Sequence, residues 1–513
     1  MPIVSFGNIL GGVNYSIPPS ELPKYFLADG KNVVPVLNGY GAKRGGSSKL
    51  NTTAYGSGVI TTFQELVSGS TSYKLASKGT VIGIYNSATG AFVDHITGLT
   101  TGLYGQWVNY GDYAIYANGS NKVQKTDGTT GDDLTANLSG IPGGQCLAEW
   151  GERIWIGGYT AQVARLTGSA LRAPTDFSTT GAAGYYQGYV GNKLQPITGL
   201  FPFYDMLLIG KLNQIYILTG APETNADTFR LIPLQTKDKD SMGFTSKNAI
   251  TQVGNDLVFL DGFSIKALSG VQAYGDVESV SIIGNIKDFF RDSAGASLDK
   301  DYLQDSQFFH YKHKEQVWCS IPTGASTRYW FVIDYSNQAL RQALEFPKYS
   351  FFPMAGLTPI CFGGVENGTQ VDIYAGCEDG YVRQLDTGQN DTSTAIDAHM
   401  TWSFGLPSQN LQPVEIIISV KYSTACVFTP YYAMGLDDWE SVITAGNFTA
   451  LDTQDVTDSS WRGSGNTGLK SLSDMMHNTD KCFAFKLRHN TASQTVETRN
   501  CTFRYRPKSR YVG

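Results

Sequence analysis

A strand-turn-strand unit that recurs along the chain restricts its possible folds more than any other feature of the sequence. In "GNDLVFLDGFSIKALSG", residues 254–270, two apolar runs each follow a glycine-containing turn. Alternate residues are apolar in such units, as at Leu207 and Ile209, which is the two-residue period of a half-buried strand and not the period of a helix. Because the turns carry residues suited to hairpin loops, the unit is predicted to be a β-hairpin.

The same pattern appears in six further stretches. They begin at Thr71, Gly111, Gly151, Tyr204, Lys314 and Val371. Successive units begin about 40 to 60 residues apart, which leaves room for two more strands between them and matches the four strands of a propeller blade. The sequence therefore predicts an all-β chain with a β-propeller of six or seven blades. Two or three separate β-sandwiches are the alternative, although they would not require a regular spacing.

Changes in this rhythm predict three parts of the chain. Residues 1–50 lack a hairpin of their own and are predicted to form an extended segment, residues 51–391 the propeller, and residues 392–513 a C-terminal, sandwich-like β domain. Within the first part, "NVVPVLNGYGAKR" is expected to supply a strand that closes the propeller ring and also contacts a neighbouring subunit. The apolar residues of that strand are Val33, Val34, Val36 and Leu37.

One short helix is also expected. The stretch 281–300 has Asn285 as a possible N-cap, followed by apolar residues at helical spacing, namely Ile286, Phe289 and Phe290. This helix is predicted to cross the surface between two hairpins.

Charge and composition argue against several classes of protein. The net charge is −6 without a long basic run, so a high-affinity nucleic-acid groove is not indicated. No stretch of about 18 apolar residues occurs, and the N-terminus lacks a cationic start before an apolar core, so neither membrane insertion nor a signal peptide is expected. The seven cysteines are scattered without a C-x-x-C pair, which predicts buried core residues in a protein made in a reducing cytoplasm.

No catalytic, cofactor-binding or metal-binding residue is predicted, and the protein is not expected to be an enzyme or to need a cofactor. The G-x-S-x-G, P-loop and H-E-x-x-H patterns do not occur. His310 and His313, with Glu315 beyond them, would point to opposite faces of a strand. Asp238 and Asp240 fail as an EF-hand loop, because its fifth and twelfth positions fall on Met242 and Ala249. Three further carboxylates, Asp256, Asp261 and Asp379, lie in predicted hairpin turns, where aspartate commonly binds its own backbone.

The tryptophans admit two interpretations. Most fall on alternating strands, which favours burial between sheets, whereas exposed rings could form a sugar-binding platform. The residues concerned are Trp107, Trp150, Trp155, Trp318 and Trp330.

The N-terminal region carries a family resemblance. Its order of motifs is Gly11-Gly12-Val13-Asn14, Pro18-Pro19, Glu21-Leu22-Pro23, Lys31-Asn32-Val33 and then "GYGAKRGG". This order resembles the opening of the propeller-type tail nozzle (tail tube or hub) proteins of short-tailed bacteriophages. "GERIWIGG" with "RAPTDFS", and the stretch 236–271, resemble the blade sequences of the same proteins. The resemblance covers roughly residues 8–390.

This resemblance implies a virion structural protein of the phage tail, made in the host cytoplasm. Six copies are expected to form a ring around the DNA exit channel, beneath the portal and adaptor proteins and above distal tail proteins or fibres. The ring would retain the genome and then release it, and the DNA would pass without sequence-specific binding. Two alternatives stay open: a receptor- or glycan-binding phage tail protein, and a polysaccharide-degrading propeller enzyme.

Overall fold

The chain folds almost entirely into β-strands, as its sequence predicts. The computed structural model describes residues 2–133, 143–220, 228–234, 241–269, 279–282, 284, 298–405, 410–422, 426–434, 448–451, 454–455, 467–473 and 482–508. Most strands are short and antiparallel, and they form many small sheets. The stretch with Asn285, where a helix is predicted, and the pair Asp238 and Asp240 lie outside the described residues.

Seven short strands occupy the first 50 residues. They are β1 (Ile3–Phe6), β2 (Gly12–Val13), β3 (Phe26–Leu27), β4 (Asp29–Lys31), β5 (Val33–Pro35), β6 (Gly41–Lys43) and β7 (Ser47–Lys49). Only β2 and β3 form a sheet by themselves, a parallel pair. The other five join sheets formed by later parts of the chain.

Seven sheets then follow one another, and their strands are ordered as in the sequence. Sheet 1 contains β8 (Ile60–Ser68), β9 (Thr71–Lys78), β10 (Val81–Asn86) and β11 (Ala91–Ile96); sheet 2 contains β12 (Gln106–Tyr110), β13 (Tyr113–Ala117), β14 (Gln124–Thr126) and β15 (Gly131–Asp133). Sheet 3 contains β16 (Cys146–Trp150), β17 (Arg153–Gly157), β18 (Arg165–Gly168) and β19 (Tyr186–Tyr189); sheet 4 contains β20 (Gly199–Phe203), β21 (Met206–Gly210), β22 (Ile215–Thr219) and β23 (Arg230–Pro233).

The remaining three sheets have the same order. Sheet 5 contains β24 (Ile250–Val253), β25 (Asp256–Asp261), β26 (Ser264–Ser269) and β27 (Ser279–Ser281); sheet 6 contains β28 (Gln307–Tyr311), β29 (Gln316–Pro322), β30 (Arg328–Asp334) and β31 (Ser350–Met354). Sheet 7 contains β32 (Pro359–Asn367), β33 (Gln370–Cys377) and β34 (Val382–Leu385), and β7 from the N-terminal segment is its fourth strand. Each hairpin predicted from the sequence supplies the second and third strands of one sheet.

The first strands of the seven sheets lie side by side. In chain order each packs next to the first strand of the following sheet, and β32 of sheet 7 packs next to β8 of sheet 1. The sheets are held together by apolar clusters between neighbours, such as the cluster that joins Trp155 of sheet 3 to Leu207 and Ile209 of sheet 4. The spacing of the predicted hairpins is therefore matched by a regular succession of sheets.

The C-terminal strands form two further sheets together with N-terminal strands. The strands are β35 (Asn390–Asp391), β36 (Thr394–Ala395), β37 (Ala398–Gly405), β38 (Asn410–Tyr422), β39 (Val427–Met434), β40 (Thr449–Ala450), β41 (Gln454–Asp455), β42 (Thr467–Ser473), β43 (Cys482–His489) and β44 (Val496–Lys508). One sheet has the order β42-β38-β44-β6-β5, with β1 also paired to β44, and the other has the order β4-β37-β43-β39-β40. Strands β35 and β36 extend sheet 7 beyond β7.

These two sheets pack against each other through aromatic side chains. The ring centroid of Phe503 lies 5.2 Å from those of Phe483 and Phe485 and 5.3 Å from that of Phe6. Trp402 is buried in the same cluster. The first 43 residues and the C-terminal region therefore share one apolar core.

The strand that completes sheet 7 is not the one predicted from the sequence. Val33 and Val34 do not pair with a sheet of the repeat region; they lie in β5, which pairs with β6 beside the C-terminal strand β44. Ser47–Lys49 pairs with β34 instead. Its sequence, Ser-Ser-Lys, has no apolar alternation, so hydrophobic periodicity cannot identify it as a strand.

One short α-helix lies among the described residues, α1 (Gln338–Ala343), between β30 and β31. Its Arg341 is 1% exposed and forms an ion pair with Asp334 at 2.8 Å. Arg341 Nη1 also donates to the Leu10 carbonyl and to Ser350 Oγ, both at 2.6 Å. This side chain is one of the groups that bind the N-terminal segment to sheet 6.

Candidate functional site

The first strands of the sheets line two cavities that follow each other along the strand direction. The small cavity, about 200 Å³, is lined from the beginnings of these strands and includes Gln106, Lys247 and Gln307. The large cavity, about 750 Å³, is lined from the strand ends and the turns that follow, including His310 and His313. Gln64 lines both cavities.

Neutral amide side chains in the small cavity join different sheets. Gln106 Oε1 accepts a hydrogen bond from the Leu147 backbone N–H at 2.7 Å, which connects sheets 2 and 3. Asn248 Nδ2 donates to the Gly105 carbonyl at 2.9 Å, across from sheet 5 to sheet 2. These polar groups therefore bind the backbone of other first strands and hold the strands in place.

Lys247 brings a positive charge to this cavity. Burial lowers its pKa, and Cys146 and Asp305 act against that shift. The residues that line the cavity within the described part of the chain include no carboxylate. The described lining therefore combines amide and aromatic side chains with one cation.

Asp305 lies close to the small cavity without lining it. Burial raises the pKa of its carboxyl to about 6, although the charges of Arg328 and Lys247 oppose this. Its backbone carbonyl accepts a hydrogen bond from Arg328 Nη1 at 3.0 Å.

The large cavity contains a buried carboxylate, Glu65, whose oxygens are occupied. Ser72 Oγ donates to Oε1 at 2.5 Å, and the Glu366 backbone N–H donates to Oε2 at 2.6 Å. Glu65 therefore connects sheet 1 to sheet 7.

The two histidines at the large cavity have different neighbours. His310 Nε2 and the Tyr335 hydroxyl are 2.5 Å apart, and burial lowers the pKa of this imidazole. His313 lies in the 3-10 turn Lys312–Lys314 with its ring near that of Tyr311, and Glu315 follows the turn. Within the described part of the chain, no cluster of three or more His, Cys, Asp or Glu side chains could hold a metal ion.

The three aspartates in predicted hairpin turns form different contacts. Asp379 Oδ1 accepts from the Tyr381 backbone N–H at 3.3 Å, as predicted for a turn residue. Asp256 instead accepts from Lys348 Nζ at 2.5 Å and from the Tyr349 hydroxyl at 2.7 Å. Asp261 forms an ion pair with Lys266 at 2.7 Å. Only Asp379 lies in a turn as predicted, whereas Asp256 and Asp261 are the first and last residues of β25.

Four of the five tryptophans singled out in the sequence are core residues, which confirms the first of the two interpretations for them. Trp155 is fully buried, and Trp150, Trp318 and Trp330 are at most 7% exposed. Trp107 is partly buried and donates from Nε1 to Thr62 Oγ1 at 2.8 Å. All seven cysteines are also buried and free, as predicted.

Sequence reasoning did not identify Lys247, Asp305 or Gln307. Each is a single polar residue at or just before a first strand, in a position where polar residues also occur in ordinary turns. The signal that could have found them is the regular spacing of the hairpins. It implies that the first strands of successive sheets lie next to one another, so that their polar residues face a common space.

Comparison with known proteins does not assign the chain to a family. No family model matches it, and no curated protein matches it. Among solved structures, the computationally designed Ika8 protein aligns with 66% of this chain and 99% of its own length, at 12% identity and a TM-score of 0.35. That TM-score supports no argument about fold or function. Among the helices within the described residues, none is long and apolar enough to cross a membrane.

Proposed function

We propose that the seven sheets are the blades of a β-propeller and that the protein is a subunit of a bacteriophage tail nozzle. The propeller is supported by the seven successive sheets, by the first strands that pack next to one another, and by the contact between sheet 7 and sheet 1. Sheet 7, the last sheet of the repeat region, is completed by β7, which precedes the first sheet in the sequence. Propeller rings are commonly closed by such a strand.

The observation that carries the structural role is the placement of the N-terminal motif residues. They contact other parts of the same chain. Gly12 has a φ of +74°, and a Cβ there would lie 2.8 Å from the Phe351 backbone nitrogen. Asn14 is 2% exposed, and its Oδ1 accepts from the Ser16 backbone N–H at 2.9 Å. These residues fix the path of the chain against sheet 6.

Asn32 and Arg44 also bind the N-terminal segment to other parts of the chain. The Asn32 side chain accepts from Arg44 Nε at 2.9 Å and from the Ala355 backbone N–H at 2.8 Å, and it donates to the Asp397 carbonyl at 2.8 Å. One amide thus joins the N-terminal segment, the loop after sheet 6 and the C-terminal region. Because Gly12, Asn14 and Asn32 contact other parts of the same chain, they support an architectural role for the motif.

In the proposed nozzle, DNA passes between the subunits of a ring of six and not through the axis of one propeller. The small cavity between the first strands holds about 200 Å³, far less than duplex DNA needs. A rigid, mildly acidic wall suits a conduit, because phosphate groups are repelled and not retained. The proposed partners are portal and adaptor proteins above the ring and tail proteins or fibres below it.

Sedimentation velocity of the purified full-length protein tests this function. The expected result is one species with the mass of six chains, without retention of duplex DNA at moderate salt. The same preparation, incubated with bacterial surface polysaccharide, should leave the polymer length unchanged. A strictly monomeric chain, or one that shortens the polysaccharide, would contradict the nozzle assignment.

A further inference from the structure

We propose that Asn367 is a site of spontaneous covalent modification, at which its side-chain amide is converted into a carboxylate through a cyclic imide formed with Gly368. This chemistry lies within one chain and does not depend on the proposed nozzle function. An asparagine followed by glycine is open to this reaction, because glycine has no Cβ to shield its backbone nitrogen. Three such pairs occur in the chain, namely Asn38–Gly39, Asn118–Gly119 and Asn367–Gly368.

The reaction joins two groups that the chain already holds next to each other. After a base in solution removes its proton, the Gly368 backbone nitrogen forms a bond to Cγ of Asn367, and the Cγ–Nδ2 bond breaks with release of ammonia. Water then opens the imide ring. Opening at Cγ gives aspartate and opening at the backbone carbonyl carbon gives isoaspartate, and no group is oxidised or reduced. The peptide group between the two residues must turn for the ring to form, so a hydrogen bond from the glycine N–H opposes the reaction.

The structure opposes ring formation at Asn118–Gly119. The Gly119 N–H donates to the Gly144 carbonyl at 3.1 Å. Asn118 is 6% exposed, and its Oδ1 accepts from the backbone N–H groups of Ser120 at 3.1 Å and Asn121 at 2.9 Å. Both reacting groups of this pair are therefore held by other contacts.

The pair Asn38–Gly39 is held in a similar way through its glycine. The Gly39 N–H donates to the Val36 carbonyl at 2.8 Å. A Cβ at Gly39 would lie 2.7 Å from the side chain of Asn8, so this backbone is also closely packed. Rotation of the peptide group between Asn38 and Gly39 therefore breaks a hydrogen bond and disturbs packed neighbours.

The pair Asn367–Gly368 has neither restraint. Both residues are exposed at the turn between β32 and β33. Gly368 has a φ of +64°, and no atom apart from its chain neighbours would lie within 4 Å of a Cβ built there. Among the described residues the Gly368 N–H donates no hydrogen bond, and the Asn367 side chain forms one, from Nδ2 to Asp372 Oδ2 at 3.0 Å. The structure therefore singles out this pair as the reactive one.

The modification changes the rim of the large cavity. Glu366 and Thr369, on either side of the pair, line that cavity. Conversion of the amide removes the donor to Asp372 and places two carboxylates side by side, which destabilises their contact. The isoaspartate product also lengthens the backbone beside the two-residue turn that sets the register of β32 and β33.

Peptide mapping by mass spectrometry tests the site, with the purified full-length protein incubated in mildly alkaline buffer. Conversion of an amide into a carboxylic acid changes the peptide mass, so the rates at all three pairs are measured in one sample. Each rate is divided by the rate at the same pair in the urea-unfolded chain, which removes the effect of the local sequence.

Isoelectric focusing of variants gives a second readout, because the product carries an additional negative charge. The variant is Asn367→Gln, whose longer side chain cannot form the same ring. Asn255→Gln is the matched control, because Asn255 is an exposed asparagine in the turn between β24 and β25 and is followed by aspartate.

In the folded protein, the normalised rate at Asn367 is expected to exceed those at Asn38 and Asn118 by about two- to tenfold, the factor that corresponds to the loss of one hydrogen bond. The more acidic form should accumulate equally in the wild-type protein and in Asn255→Gln, and more slowly in Asn367→Gln. No mass change at Asn367, equal normalised rates at the three pairs, or an acidic form that appears as fast in Asn367→Gln as in the wild-type protein would overturn the proposal.

Discussion

Arg44 and Asp391 form a buried two-point ion pair across 347 residues of sequence, with Nη2 to Oδ2 at 2.6 Å and Nη1 to Oδ1 at 3.0 Å. The two side chains are 3% and 8% exposed. Ser47 Oγ donates to the same carboxylate at 3.0 Å. The pair therefore lies at the point where strand β7 enters sheet 7 and the C-terminal region begins.

Replacing Arg44 with Met should destabilise the protein by about 3–5 kcal/mol, because it leaves the Asp391 carboxylate buried without its partner. Urea unfolding followed by tryptophan fluorescence measures the change. Arg172→Met is the control, since the ion pair of Arg172 with Glu152 is exposed and should contribute little. Equal stability of Arg44→Met and Arg172→Met would show that the buried ion pair does not stabilise the contact between the N-terminal segment and the C-terminal region.

Ser48→Pro should weaken the closure of sheet 7. Leu50 N–H donates to the Val382 carbonyl, and by antiparallel alternation Ser48 N–H faces the Gln384 carbonyl two residues away. Proline removes that donor, which is expected to cost about 1–3 kcal/mol in unfolding free energy. Ser48→Ala keeps the backbone donor and loses only an exposed hydroxyl, so it should melt like the wild-type protein. If both variants melt alike, the pairing of β7 does not stabilise the ring.

Trp155→Ala and Trp318→Ala should each destabilise the fold by about 3–5 kcal/mol, because both indoles are buried between strands. The Trp155 Nε1 also donates to the Trp150 carbonyl at 2.9 Å. Differential scanning calorimetry measures the loss, with the Phe substitution at each position as the conservative control. A variant that melts like the wild-type protein but loses affinity for a saccharide would assign its tryptophan to a binding site.

His489 should make stability fall in acid. It is 2% exposed, and burial, together with the charge of Lys43, lowers its pKa from 6.5 to about 4. A lowered pKa means that the unfolded chain binds the proton more tightly. The contribution of neutral His489 to the free energy of unfolding is therefore complete above pH 6.5. It is lost as the pH falls towards 4, by about 3 kcal/mol in total. Urea unfolding of His489→Gln across this range should show a flatter pH dependence than that of the wild-type protein.

Asp305 should change the stability of the fold with pH in the opposite direction to His489. Because burial raises its pKa from 3.8 to about 6, the folded state binds the proton more tightly than the unfolded chain. Its contribution is complete below pH 3.8 and is lost as the pH rises through 6. Asp305→Asn should therefore steepen the acid loss that His489 causes, measured by the same unfolding series. An unchanged slope in Asp305→Asn would contradict the raised pKa.

Local sequence patterns predict the hairpins, but they do not predict contacts between residues that are far apart in the sequence. The seven hairpins are visible because alternation and turn residues lie within about 20 residues of one another. The pairing of β1 with β44 and the contact of Arg44 with Asp391 join positions hundreds of residues apart, and no local pattern encodes such a contact. The small cavity could not be predicted for the same reason, since Lys247 and Gln307 line one cavity only because neighbouring first strands pack together.

Electron microscopy of the purified full-length protein tests the central claim most directly. The account predicts particles with six copies arranged around an open channel wide enough for duplex DNA, in which each copy shows a seven-bladed disc with a filled centre. Class averages that show only single discs, or assemblies without a central channel, would contradict the proposed nozzle.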